Sequence, residues 1–118
     1  MAPRSPLEIA TASVQRLVKE ESSYHREMQQ QKERIKKLES GEGGDDENKE
    51  YTLKQERLAL EETRKVLPTL KQKIKDAIAK LDQLLIEEGK KGSESNVEQI
   101  NAAKEAVSQA RTAEREIA

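Results

Sequence analysis

Apolar residues return along this chain at helical spacing. In the first third, Leu7, Ala10, Val14, Leu17, Glu21, Tyr24, Met28, Gln31, Ile35 and Leu38 follow one another by steps of three and four. Such a series describes one face of a long helix, interrupted only by its two polar members, Glu21 and Gln31. A polar residue in a seam weakens it locally and can set register or face a partner. Both are read here as edge positions of a loose three-helix seam.

The middle stretch is more regular. Leu53, Leu60, Leu67, Ile74 and Leu81 recur every seven residues, and Thr63, Leu70, Ala77 and Leu84 form a second series three steps later. Ile78 and Leu85 widen the stripe in its second half. A helix apolar over more than one narrow stripe packs against more than one neighbour, so this stretch is expected to be the central helix. The last series is Val97, Ile100, Ala103, Val107, Ala110 and Ile117, with Ala113 or Glu114 between the final two. Alanine buries little area, which predicts the least stable of three helices.

Helix ends are marked by familiar chemistry. Ser5, Pro6 and Glu8 make a capping box with proline in the first turn, and Ser95 with Glu98 repeats the box before the third series. Gly41, Gly43 and Gly44 stop the first helix, with Lys36 and Lys37 placed against its negative end. Asp45, Asp46, Glu47 and Asn48 suit the positive start of the next helix, and they lack the alternation of a calcium loop. Gly89 to Gly92 form the second turn. The pattern predicts one domain over residues 1–118, with helix one at about 6–40, helix two at about 46–88 and helix three at about 95–117. Its class is all-α: an elongated, antiparallel three-helix bundle of spectrin-like or coiled-coil-like character. Pro68 falls inside helix two, where it removes a hydrogen bond to the Arg64 carbonyl at a cost of about 3 kcal/mol unless the helix bends, so a bend is expected there.

Composition sharpens this picture. Of 118 residues, 38% are charged and 33% hydrophobic, with no Phe, Trp or Cys. That is material for a long thin seam and not for a thick core. Twenty-two basic residues nearly cancel twenty-three acidic ones, which gives no electrostatic case for nucleic acid. No apolar run is long enough to span a bilayer, and no secretory leader is visible, so a cytoplasmic location is expected. The absence of cysteine removes disulfides, thiolate catalysis and Cys-ligated metal.

No catalytic, cofactor or metal constellation stands out. The single histidine, His25, lies off the seam and is read as an exposed imidazole. The pairs Glu61–Glu62 and Glu87–Glu88 are adjacent on a helix and point apart, as on a solvated face. Two basic runs remain, Lys32, Arg34, Lys36 and Lys37 at the end of helix one, and Lys65, Lys71, Lys73 and Lys75 around the proline. Either can steer an acidic partner.

Particular residues go further than periodicity. Arg16-Leu17-Val18-Lys19-Glu20-Glu21 followed by Tyr24, then Tyr51-Thr52-Leu53-Lys54, then Glu62-Thr63-Arg64-Lys65-Val66-Leu67-Pro68-Thr69-Leu70, resemble the tubulin-specific chaperone A (tubulin-folding cofactor A) family over roughly residues 7–88. The Leu-Pro-Thr-Leu piece in a charged helix is the most specific part. The chain departs from that family at Lys54-Gln55-Glu56-Arg57, in two longer linkers and in an alanine-rich third helix.

The resemblance implies a non-enzymatic chaperone of the cytoplasm and microtubule cytoskeleton, and a monomer is expected over a dimer. Such a protein would capture a β-tubulin folding intermediate released from chaperonin and pass it along the heterodimer assembly pathway, with β-tubulin and other tubulin-folding cofactors as partners. Charged or amphipathic residues in or beside the matched segments are then the candidate contacts: Arg16, Lys19, Glu20, Tyr24, Lys54, Arg57, Arg64, Lys65 and Lys71. The alternative is a structural coiled-coil or spectrin-like adaptor that associates through its seam.

Overall fold

Apolar residues recurring by three and four favour helix, in which the backbone N–H and C=O groups pair within the segment. A computed structural model describes residues 4–41 and 48–117, apart from the side chain of Ile117, and shows three α-helices and no strand among them. They are α1 (Pro6–Glu39), α2 (Lys49–Gly89) and α3 (Val97–Ile117), with a single 3₁₀ turn at Gly92–Glu94 between the last two. The fold is an all-α helical bundle. The linker and cap readings of Gly43, Gly44, Asp45, Asp46 and Glu47 lie outside the described residues.

The start of α1 forms the capping box that its residues predict. The Glu8 N–H donates to Ser5 Oγ and the Ser5 N–H donates to Glu8 Oε1, each at 3.1 Å. The same serine hydroxyl donates to Gln99 Oε1 at 2.8 Å, tying the start of α1 to α3. At the other end, the Ser40 Oγ donates to the Lys37 carbonyl at 2.9 Å, and Gly41 takes a φ of +82°, a value that a side chain would strain.

The cap of α3 differs from its prediction. Ser95 does not cap: its hydroxyl donates back to the Gly92 carbonyl at 2.7 Å and closes the 3₁₀ turn. Asn96 takes the capping place, its Oδ1 accepting the Gln99 N–H at 3.1 Å. The turn uses up one more residue than a direct helix start would, and asparagine caps as well as serine.

Two compact units make up the chain, Met1–Glu20 with Lys71–Ala118, and Glu21–Leu70. In the first, Leu7, Ala10 and Val14 of α1, Leu81 of α2 and Ala103, Ala106, Val107 and Ala110 of α3 form a continuous apolar core. Ile78 and Leu85 pack against it, as the widened stripe of α2 requires. Val97 does not: it is 63% exposed, whereas Ala106, absent from the predicted series, is buried. Alanines at 102, 103, 106, 110 and 113 allow several helical phases, and packing selects the one centred on Ala103, Ala106 and Ala110.

In the second unit, Leu60, Leu67 and Leu70 are buried alongside polar residues. Glu21 is 0% exposed and Gln31 only 3%, so the reading of both as edge positions is wrong. They lie on the seam in phase with their apolar neighbours, and helical geometry carries them inward whatever their polarity. His25 is also more enclosed than expected: it is half-buried, and its Nε2 is shielded from solvent. Thr63 meets its burial by donating to the Ala59 carbonyl at 3.0 Å, and Thr11 in the first unit does the same to Leu7 at 2.8 Å. α2 continues through Pro68, which lies on its exposed side. There water can reach the Arg64 carbonyl that the proline leaves without a donor.

Candidate interaction surface

Helical spacing decides which of the predicted contact residues share a face. In the second unit, Tyr51, Lys54, Leu58, Glu61 and Lys65 follow one another along α2 by three and four, and all five are exposed. They make one stripe on the side of α2 away from its seam. Tyr51 is 66% and Leu58 51% exposed, a large apolar contribution to an otherwise charged surface. Neither is among the candidate contacts read from the sequence, although Tyr51 opens one of the matched segments. Their seven-residue separation on the polar face was the available signal.

Ion pairs arrange the cations around that stripe. Arg57 Nη2 stands 2.8 Å from Glu39 Oε1, Arg34 Nε stands 3.0 Å from Glu56 Oε1, and Arg64 Nη1 lies 4.0 Å from Glu61 Oε2. Lys54 and Arg57 line a hollow of about 520 Å³ together with Glu50, Leu53 and Leu58. Such exposed pairs contribute little to stability, so their partners are easily exchanged for those of another protein. Tyr24 is half-buried in the same unit.

The remaining predicted residues belong to the first unit. Arg16 pairs with Glu20 at 3.9 Å on the outside of α1. Lys19 borders a hollow of about 240 Å³ between α1 and α3, with Gln15, Val18 and Gln109. Lys71 is half-buried. The nine candidates therefore do not form one cluster within either unit. They divide into an α1 group, Arg16, Lys19 and Glu20, and an α2 group centred on Lys54, Arg57, Arg64 and Lys65, with Tyr24 and Lys71 more enclosed.

One carboxylate departs from its ordinary titration. Glu88 accepts the backbone N–H of Asn96 and the Lys91 ammonium, each at 3.1 Å, and these bonds hold its carboxyl below the usual value of 4.5. It fastens the α2–α3 turn and is not merely a solvated residue. Among the described residues no group of three or more His, Cys, Asp and Glu stands together as a metal site. No described helix is long and apolar enough to cross a membrane.

The described residues form an all-α bundle with exposed ion pairs and, on α2, exposed apolar side chains. Comparison with known proteins narrows the class. The family model described as Tubulin binding cofactor A matches residues 2–107. The chain is similar to the tubulin-specific chaperone A of Mus musculus, 34% identical over 100 residues that cover 85% of this chain and 82% of the relative. It is likewise similar to those of Saccharomyces cerevisiae, 35% over 85 residues (72% and 76% covered), and Gallus gallus, 37% over 79 residues (67% and 68%). No solved structure gives a significant match. The chain belongs to the tubulin binding cofactor A family.

Proposed function

We infer that this protein is a non-enzymatic, cytoplasmic tubulin-folding cofactor that binds β-tubulin as a folding intermediate and hands it to the other cofactors of heterodimer assembly. Family membership across residues 2–107 is the observation that carries this reading. The exposed α2 stripe supplies a fitting surface, since a partly folded protein presents both unpaired charges and apolar side chains. Lys54, Arg57, Arg64 and Lys65 would meet acidic groups on the client, with Tyr51 and Leu58 beside them as apolar anchors. Arg16, Lys19 and Glu20 offer a second charged contact, with Tyr24 and Lys71 contributing from more enclosed positions.

The test is capture of β-tubulin released from chaperonin by the purified protein, with α-tubulin as control. Retention of β-tubulin alone is expected. The double variant Lys54→Glu/Lys65→Glu should weaken that retention about tenfold or more, a loss of about 1.4 kcal/mol or more. Failure of the unaltered protein to retain β-tubulin overturns the reading, and equal retention by a folded double variant overturns the assignment of the α2 stripe.

A further inference from the structure

In the first unit, α2 and α3 leave a furrow that the tubulin-cofactor reading does not use. Two hollows adjoin along it, sharing Arg111 and Arg115: one of about 550 Å³ over Ile74 and Ile78, the other of about 380 Å³ beside Leu85 and Val107. Ile78 and Leu85 are half-buried and seven residues apart, two turns or about 10.5 Å along α2. That is the repeat at which an incoming helix presents successive apolar side chains to a groove.

The rim is unequal in charge. Lys75, Lys104, Arg111 and Arg115 stand along it against two carboxylates, Asp82 and Glu114. Asp82 is already engaged by Arg111 at 3.1 Å in an exposed pair, of the weak and exchangeable kind. Glu114 Oε1 is buried and has no hydrogen-bond partner among the described residues, so this carboxylate oxygen does not face an occupant of the furrow. Arg111 and Arg115 lie beyond residue 107, where the family match ends.

We propose that this α2–α3 furrow docks an acidic amphipathic helix of a partner protein. The helix lays its apolar stripe on Ile78 and Leu85 and turns its carboxylates toward Lys75, Lys104, Arg111 and Arg115. Charge decides against a second copy of this chain, because a two-fold contact would set the same four cations against one another. Shape decides against a lipid surface, because the apolar floor is recessed between two helices.

The probe is a fluorescein-labelled 21-residue peptide with leucine at heptad positions a and d and glutamate elsewhere, matched by a peptide with lysine for glutamate. Anisotropy titrations use the full chain. The glutamate peptide is expected to bind saturably, more weakly as salt rises, and at least tenfold more weakly to Arg111→Glu/Arg115→Glu. The same charge change at Lys32→Glu/Lys36→Glu should alter binding less than twofold. If the Arg111→Glu/Arg115→Glu protein fails to fold by circular dichroism, Lys104→Glu at an exposed site replaces it, with at least a threefold loss expected.

Equal binding of the lysine peptide, no effect of the furrow variants, or an equal effect of the control variant overturns the proposal. So does a dimer in light scattering that the furrow variants dissolve, or furrow-dependent sedimentation with phosphatidylserine vesicles. The assay contains no tubulin, so its failure and a failure of β-tubulin capture are separate results.

Discussion

Glu88 shows how a residue indistinguishable from its neighbour in sequence acquires a role from the turn of the chain. Glu87 and Glu88 look alike, yet only Glu88 meets the Asn96 N–H and Lys91. Its folded pKa is depressed, so its stabilising effect is fully present above the ordinary value of 4.5 and is lost as pH falls through the lower folded value. Glu88→Gln should therefore destabilise the protein at neutral pH, by an amount that shrinks as pH drops below 4.5, in urea titrations across that range. Gln31 makes a different case. Its Oε1 is buried and accepts no hydrogen bond among the described residues. Gln31→Leu keeps the volume and removes the unsatisfied carbonyl, and a gain of about 1 kcal/mol is expected in chemical denaturation. Neither effect is legible in sequence: polarity argued for the surface, and only burial reveals the cost.

Among the elements, α2 was the most readable because its seven-residue repeat admits one helical phase. Leu60, Leu67, Ile74 and Leu81 of that repeat are all buried. Leu81 is 0% exposed at the centre of the first unit's core, so Leu81→Ala should cost about 2–5 kcal/mol, measured as a shift of the denaturation midpoint. α3 was read less well. Its many alanines match more than one face, so the pattern places Val97 inward and leaves out Ala106. The residues that settle its phase are on other helices, Leu7, Val14 and Leu81 among them. Its start was displaced for a local reason, since the 3₁₀ turn at Gly92–Glu94 engages Ser95 and leaves the cap to Asn96.

For the whole molecule, the question is what remains outside once the seams are filled. The large apolar side chains left exposed among the described residues, such as Ile9, Tyr51, Leu58 and Val97, are spread over three helices, with Tyr51 and Leu58 sharing one short stripe of α2. Basic and acidic residues nearly balance, so neither a long apolar stripe nor a strong field drives self-association. A monomer at all concentrations is the expected result of light scattering. A stable dimer would favour the structural adaptor over the tubulin cofactor. The charged candidates on α2 come from the family motif, and the fold then places Lys54 and Lys65 on one exposed stripe, whereas Tyr51 and Leu58 needed the fold to show that they stay exposed.

By itself the sequence determined the all-α class, the heptad face of the 51–88 segment, the Ser5–Glu8 cap and the family resemblance. Each depends on spacing within one helix or on a short run of residues, and such local constraints need no knowledge of neighbours. Tertiary structure alone decided that Glu21 and Gln31 are interior, that α3 turns Ala106 inward, that Glu88 fastens a turn, and that cations gather above Ile78 and Leu85. Each of these joins residues far apart in the chain or fixes a rotation that several alanines leave open, and only packing between helices supplies that information.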